Sequence, residues 1–298
     1  MRIPEVMRAV ASGLTDVGLQ RDHNEDSYAV LSEYDLFIVA DGMGGHRAGD
    51  VASRLATESI ADFFRSTSRE DATWPFHFDT SLSEEENRLV AGIRVANRQI
   101  FERSIRSRDC AGMGTTVVGA LFSRKKNRIF VGHVGDSRAY RVRGGVIEQL
   151  TRDHSLFNDY IMAMPELTEE QRAELPKNVI TRALGMQDNV VVDLVSDEPK
   201  VGDVYLLCSD GLSGMLTDDQ IRDIVGSTED VSEMCRKLIA GANENGGEDN
   251  ITALVIRFDD QDDATSTIPF RVTATPPSAG SAHVSSGDRP TPPSPTKA

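Results

Sequence analysis

Short runs of apolar residues recur along the chain and predict buried β-strands. The five clearest runs are 36–40, 116–122, 128–134, 204–209 and 251–258. Two further runs, 139–142 and 146–150, flank Arg143-Gly144-Gly145, a sequence typical of a tight hairpin turn. Because successive strands in the middle of the chain are joined by short connections, antiparallel pairing is favoured over repeated βαβ units.

Two longer stretches carry apolar residues at the spacing of an amphipathic helix. They are 49–64 and 84–105. Ser83 and Glu86 predict a capping box at the start of the second helix, because each side chain can accept from the other residue's backbone amide. Similar signals predict helix starts at Thr168 and Thr217, and a further helix is expected over about 231–245. Helices mixed with antiparallel strands over about 250 residues predict one α+β domain.

The end of the chain, 260–298, differs in composition from the rest and is rich in Pro, Ser, Thr, Ala and Gly. Such a segment buries too little apolar surface to offset its ordering entropy, so it is predicted to be disordered. A flexible end is favoured over a docking or phosphorylated tail. The chain thus divides into an N-terminal arm over 1–8, a folded domain over 9–259 and this tail.

Charge and cysteine content narrow the classes of partner and compartment. A net charge of −15 argues against nucleic acid, since binding to phosphate backbones depends on clustered Lys and Arg. Cys110, Cys208 and Cys235 are odd in number and far apart, which favours free thiols over a disulfide framework or a zinc site. We find no signal peptide and no apolar run that could span a membrane. A cytoplasmic protein without a membrane partner is expected.

Four aspartates stand where a predicted strand meets a turn: Asp41, Asp136, Asp210 and Asp249. A turn explains any one of them, because Asp-Gly is common turn chemistry. If the four strand ends meet at one rim, however, the converging charges require cations to neutralise them. All-oxygen ligation selects Mg²⁺ or Mn²⁺ over Zn²⁺. Gly42, which has no side chain, would let its carbonyl approach an ion closely.

A polar segment before the first of these strands contains Arg21, Glu25 and Asp26. A guanidinium can hold a phosphate group through two parallel hydrogen bonds, which a lysine cannot reproduce. The two carboxylates add further oxygen ligands for a cation. Taken alone, this segment is better explained as a polar surface loop with local ion pairs, so a role in binding depends on the rest of the chain.

Six short motifs occur along the chain in a fixed order. They are Gly18-x-x-Arg21-x-x-Asn24-Glu25-Asp26, Asp41-Gly42-Met43-Gly44-Gly45-His46, Gly112-Met113-Gly114-Thr115-Thr116, Gly135-Asp136-Ser137-Arg138, Ser209-Asp210-Gly211 and Gly247-x-Asp249-Asn250-x-Thr252. Over about 9–258 the chain thereby resembles the metal-dependent protein phosphatase family of type 2C, in its bacterial form. The resemblance implies a four-layer α-β-β-α sandwich, with two antiparallel sheets inside and helices outside. It also implies a serine/threonine phosphatase that depends on Mn²⁺ or Mg²⁺.

The resemblance assigns a role to each residue of the predicted metal centre. Asp41 would bridge two tightly bound ions, one of which is also held by Glu25 and the Gly42 carbonyl. Asp210 and Asp249 would hold the other.

Other roles lie around this pair of ions. Asp26 would order metal-bound waters, and Arg21 would grip the substrate phosphate. Asp136 matches the ligand of a third, weaker ion in bacterial relatives, but Gly214 stands where relatives often have an acidic ligand for that ion. The segment over 152–184 matches the flap beside the site.

The expected mechanism is direct hydrolysis of a phosphoserine or phosphothreonine ester by a water that two metal ions activate. Many eukaryotic relatives have a histidine where this chain has Met43, and a thioether cannot donate a proton to the leaving oxygen. Another group or a metal-bound water must do so. No cysteine lies in the phosphate-binding loop that a cysteine-dependent phosphatase needs.

The expected partners are phosphorylated proteins, including by family analogy a bacterial serine/threonine kinase. Three alternatives stay open at this point. One is a specialised relative that acts on phosphorylated anti-sigma antagonists, and another is a pseudophosphatase that keeps the fold as a binding platform. A calcium-binding adhesion module would also use aspartates, but it would not need Arg21.

Overall fold

A computed structural model describes residues 7–44, 48–68, 78–176 and 179–260 of the chain, with the backbone alone at Ala173. The predicted tail lies outside these ranges apart from Asp260, and so do residues 1–6 of the predicted N-terminal arm. The first strand begins at Met7, two residues before the predicted domain boundary, and the last strand ends at Asp260, one residue after it.

The described residues form eleven strands and seven α-helices. The strands are β1 Met7–Asp16, β2 Asp26–Leu31, β3 Leu36–Met43, β4 Gly114–Thr115, β5 Val117–Ser123, β6 Arg128–Val134, β7 Arg138–Arg143, β8 Val146–Gln149, β9 Asp193–Asp197, β10 Val204–Cys208 and β11 Ile251–Asp260. The helices are α1 Ala48–Ser66, α2 Glu84–Arg106, α3 Leu156–Ala163, α4 Glu169–Ala173, α5 Asp210–Ser213, α6 Asp218–Val225 and α7 Val231–Glu244. None of these helices is long and apolar enough to cross a membrane.

The strands form two antiparallel sheets. The first has the order β1-β11-β10-β7-β8 and the second the order β2-β3-β5-β6-β9, with the short β4 paired to β3. Every strand pair is antiparallel, which confirms the prediction made from the short connections. The chain passes from the second sheet to the first twice, through the turn between β6 and β7 and through the connection between β9 and β10.

Three hydrophobic clusters separate four layers. The first cluster packs α1 and α2 against the second sheet and includes Phe64 and Leu89. The second packs α6 and α7 against the first sheet and includes Leu206 and Leu238. The third, which includes Phe258, lies between the two sheets. The fold is therefore the α-β-β-α sandwich that the resemblance implies.

The elements with the strongest sequence signals are where they were predicted. Every apolar run of the sequence analysis is a strand, and the predicted hairpin joins β7 to β8. Complete capping boxes begin α2, α4 and α6. The sequence analysis did not predict β1, β2 and β9. All three are edge strands, so they are only half-buried and lack the continuous apolar run of a central strand.

Candidate metal centre

The antiparallel register brings the predicted carboxylates to one end of both sheets. Asp26, the first residue of β2, lies opposite Asp41 of β3. In the other sheet, Asp210 follows the end of β10, and Asp249 precedes the start of its antiparallel neighbour β11. Asp136 lies in the turn that joins the two sheets. All five aspartates are thus delivered to one rim by strand ends.

Asp26 is held between the two sheets by hydroxyl groups. Its Oδ2 accepts hydrogen bonds from Ser209 Oγ at 2.7 Å and from Thr252 Oγ1 at 2.6 Å. Its Oδ1 is buried and has no hydrogen-bond partner. Burial raises the pKa of Asp26 to about 7, and the nearby charges of Asp210 and Asp249 add to the rise, while the two hydroxyl donors oppose it.

Asp41 and Asp210, like Asp26, are buried beside other carboxylates whose negative charges repel their own. Burial holds the pKa of Asp41 well above its usual range, and the charges of Asp26, Asp210 and Asp136 raise it further. Burial also raises the pKa of Asp210, with Asp249 as the next contribution. A carboxylate whose pKa is raised by other carboxylates gains its charge readily only when a cation is close.

Asp136 completes the group from the turn between the sheets. Burial raises its pKa to about 7, and the charges of Asp210 and Asp153 contribute in the same direction. Its Oδ1 is buried without a hydrogen-bond partner, as is that of Asp26. Two orphaned carboxylate oxygens in one acidic cluster match the oxygen ligands that Mg²⁺ and Mn²⁺ prefer. The residues present therefore fit divalent cations.

Glu25 and Gly42 lie side by side at the start of this rim. The Gly42 amide donates to the Glu25 carbonyl at 3.1 Å. A Cβ at Gly42 would lie 2.2 Å from the Gly49 carbonyl oxygen, so no other residue fits there without moving the backbone. Burial raises the pKa of Glu25, the charges of Asp50 and Asp249 add to the rise, and Arg21 opposes it.

Arg21 is at the open side of the cluster. Its Nη2 donates to Asp249 Oδ2 at 2.7 Å, and its side chain is 55% exposed. A guanidinium in that position can reach a phosphate group that approaches from solvent while it stays beside the carboxylates. Gly214, also exposed, follows α5, and its amide donates to the Asp210 carbonyl at 2.6 Å.

The sequence analysis gave no role to Asn250, which joins the start of β11 to three residues of the connection between β1 and β2. Its Oδ1 accepts from the Glu25 amide at 2.7 Å. Its Nδ2 donates to the carbonyls of Val17 and His23, at 2.9 and 2.8 Å. Asn250 itself is 5% exposed, and its three hydrogen bonds are partly buried. Its place beside Asp249 in the last motif was the available signal, but an asparagine there is also typical of a turn.

The comparisons with known proteins agree with this geometry. The family model described as "Protein phosphatase 2C" matches residues 20–252. A protein named "Serine/threonine phosphatase stp" from Listeria welshimeri is 39% identical over 246 residues, which cover 81% of this chain and 93% of that protein. "Protein phosphatase PhpP" from Streptococcus pneumoniae is 34% identical over 252 residues, 84% of this chain and 97% of that protein.

Solved structures give the same result. The catalytic domain of the serine/threonine protein phosphatase PstP, crystallised in complex with two manganese ions, superimposes with a TM-score of 0.72 at 33% identity. The match covers 85% of this chain and the whole of that domain. At this identity and coverage the match shows more than a shared fold, and with the family model it shows that the chain belongs to the protein phosphatase 2C family.

Proposed function

Because the chain belongs to the protein phosphatase 2C family and is a serine/threonine phosphatase, we propose that it uses a centre of two divalent cations held by Asp41, Asp210 and Asp249. Glu25 and the Gly42 carbonyl would complete the oxygen ligands of one cation, and Asp26 would order the waters around the two ions. The observation that carries the proposal is the convergence of these carboxylates on one rim, where Asp26 Oδ1 is buried without a partner.

The protein's own groups bind and orient the phosphate ester. Arg21, which is exposed beside Asp249, holds two phosphate oxygens and so presents the phosphorus to the rim. When bound, the two cations lower the pKa of a water and offset the negative charge that builds on the phosphate. Asp41 and Asp210 would hold the cations at one place on the rim, because each is carried by a strand end of one of the two packed sheets.

Manganese is the metal proposed first, with magnesium as the other candidate. The ligand set is all oxygen, and the PstP catalytic domain was crystallised with two manganese ions. The proposed substrates are phosphoproteins, including a serine/threonine kinase that this enzyme would oppose in signalling. Cys110, Cys208 and Cys235 are buried and free, which supports the cytoplasm as the compartment.

The first prediction tests metal dependence. With Mn²⁺ or Mg²⁺ the purified protein should hydrolyse p-nitrophenyl phosphate and phosphothreonine peptides, and exhaustive chelation should abolish both activities. Asp41→Asn, Asp210→Asn and Asp249→Asn should each lower turnover by about two powers of ten or more while the circular dichroism spectrum is kept. Asp219→Asn, on the exposed face of α6, is the matched control and should be fully active.

Hydrolysis that persists after exhaustive chelation would refute the proposed metal centre. Near-normal turnover in all three aspartate variants would mean that these residues only form turns and hold no metal. A pseudophosphatase would bind phosphoproteins without any metal-dependent turnover. That alternative is not favoured, because none of the predicted carboxylates is missing from the rim.

A third, weaker ion at Asp136 is the second part of the proposal. The unpartnered Asp136 Oδ1 supports it, while Gly214 offers no carboxylate, so the ion would keep several waters and bind weakly. Activity should keep rising into the millimolar range of Mn²⁺, after the two tight sites are filled. Asp136→Ala should remove this late phase.

The same variant should also separate two kinds of substrate. Because Met43 cannot donate a proton, a serine leaving group depends on waters held near Asp136, whereas p-nitrophenolate leaves without help. Asp136→Ala should therefore reduce phosphopeptide turnover more than p-nitrophenyl phosphate turnover. Gly214→Asp should shift the late phase to lower Mn²⁺ concentration. Any side chain at residue 214 would bring a Cβ to 2.9 Å from the Asp210 carbonyl oxygen, so Gly214→Ala is the control for that close contact. An unchanged metal titration in Asp136→Ala would refute the third ion.

A further inference from the structure

A second cluster of titratable groups, His133, His154 and Asp193, lies outside the proposed metal centre. Their ligand atoms are within 4.8 Å of one another, close enough to suggest a cation site. The two imidazole rings, however, are stacked at 4.9 Å between centroids with an interplanar angle of 12°. A cation must lie in the plane of each ring to take its lone pair, and two stacked, nearly parallel planes offer no such shared point. The cluster calls for another explanation.

The hydrogen bonds of His154 give that explanation. The Gly135 amide donates to His154 Nδ1 at 3.0 Å, so the neutral ring carries its proton on Nε2. Nε2 faces Asp193 Oδ2 at 3.2 Å. Arg182 Nη1, which lies 3.1 Å from Nε2, donates to Asp193 Oδ1 at 2.5 Å. Burial lowers the pKa of His154, which is 5% exposed, and this favours the neutral ring. The imidazole is thus an acceptor towards Gly135 and a donor towards Asp193.

Gly135 is bound to His154 in both directions. The His154 amide donates to the Gly135 carbonyl at 2.9 Å, in addition to the bond from the Gly135 amide to the ring. Gly135 has φ of +106°, and a Cβ there would lie 2.6 Å from Thr116 Cβ, so this turn has little room to move. Asp136, the proposed ligand of the third ion, is the next residue. Its place therefore depends on where Gly135 is held.

His154 also holds the base of the flap segment, 152–184. Its carbonyl accepts from the Thr181 amide at 2.8 Å, and the next residue, Ser155, pairs with Ile180. Arg182, one residue after Thr181, reaches Asp193 of β9. One buried side chain and its backbone thus join the flap base, the edge strand β9 and the turn that carries Asp136.

We propose that His154 is a positioning residue for Asp136, which it holds in place through the Gly135 backbone, and that it couples the flap base to the rim of the metal centre. This inference rests on the proposed role of Asp136, although its structural half can be tested without any metal.

Two substitutions distinguish the roles of the two ring nitrogens of His154. His154→Asn keeps an acceptor at the place of Nδ1, whereas His154→Gln keeps only a group that reaches the place of Nε2. His133→Gln is the matched control, because His133 is a buried neighbouring ring whose Nε2 bonds the Arg152 carbonyl and which does not hold the Gly135 amide. All variants are studied as the full chain.

The first measurement is hydrogen exchange of the Gly135 amide in EDTA. His154→Gln leaves this buried donor without an acceptor, so exchange should quicken about tenfold or more. His154→Asn should stay within about threefold of the wild type, as should His133→Gln. Wild-type protection in His154→Gln, or equal loss in all three variants, would overturn the positioning role.

The second measurement is a double-mutant cycle on the Mn²⁺ titration, followed by calorimetry and by phosphopeptide hydrolysis. His154→Gln should move the weak binding phase about tenfold to higher Mn²⁺ and spare the two tight sites. In the Asp136→Ala background the same substitution should have no further effect, because a residue that acts through Asp136 is not additive with it. Additive effects would overturn the coupling. If the wild type itself shows no metal-dependent hydrolysis, the proposed function fails, and the exchange experiment still decides the role of His154.

Discussion

At the scale of single residues, the site is a group of carboxylates that the fold forces together. Asp26, Asp41, Asp136 and Asp210 each have a raised pKa, with burial as the largest cause and neighbouring carboxylates as a further one. Without a cation this arrangement opposes folding, because each charge must form where desolvation and like charges disfavour it. The arrangement therefore fits a bound cation and lowers the stability of the metal-free protein.

This gives a prediction for the metal-free protein at different pH values. The pKa of Asp136 rises on folding from 3.8 to about 7, so between these values the folded state binds more protons than the unfolded state. Stability should then fall as pH rises through this window. In EDTA at pH 8, the free energy of unfolding of Asp136→Asn, measured in urea, should exceed that of the wild type by on the order of 3 kcal/mol. This gain in stability should shrink towards pH 5.

Asp188→Asn is the control for this measurement, since it removes the same charge from an exposed position. It should change stability by less than about 0.5 kcal/mol at both pH values. A gain in Asp136→Asn that is equal at pH 5 and pH 8 would show that lost repulsion is not its cause.

At the scale of elements, the sequence was informative where an element is defined by its own residues. The runs in β3, β6 and β10 are mostly apolar because these strands are covered on both faces. The start of α2 is predicted by its capping residues, Ser83 and Glu86. The edge strands β1, β2 and β9 depend on a partner strand for their stability, and nothing in their own residues says which partner that is. Residues that connect separate elements, such as Asn250, were not predicted either, because their partners are distant in the sequence.

Asn250 offers a prediction at this scale. Asn250→Ala removes three partly buried hydrogen bonds that fasten Glu25 and the segment before it to the start of β11. We expect a loss of about 2–4 kcal/mol in urea unfolding, because buried polar backbone groups would lose their partners. Asn245→Ala is the matched control, because its amide donates to the Met215 carbonyl at an exposed position. A loss as small as that of Asn245→Ala would mean that Asn250 does not fasten the site.

At the scale of the whole molecule, the resemblance and the register together account for the site. The two sheets are joined at one end by the turn that carries Asp136 and by the hydroxyl groups that hold Asp26. Six motifs spread over about 240 residues identified the family from sequence, since few folds would keep them in that order. The sequence could not show the clamp between His154 and Gly135, because those two residues meet only after the turn and the flap base have folded together.

The last prediction concerns the extent of the folded unit. Strand β11 pairs with β1 along its full length, from Ile251 opposite Asp16 to Asp260 opposite Met7, so the sheet uses the chain up to residue 260. The composition of 261–298, rich in Pro, Ser, Thr, Ala and Gly, predicts too little apolar surface for those residues to add to the core. Deleting 262–298 should therefore change the melting temperature by less than about 2 °C and leave phosphopeptide turnover within about twofold of the wild type. Deleting 255–298 is the contrasting variant, because it removes the end of β11, including Phe258 from the core between the sheets, and should prevent folding. If the shorter deletion lowers the melting temperature as well, the boundary predicted at residue 259 is wrong and the end of the chain belongs to the folded domain.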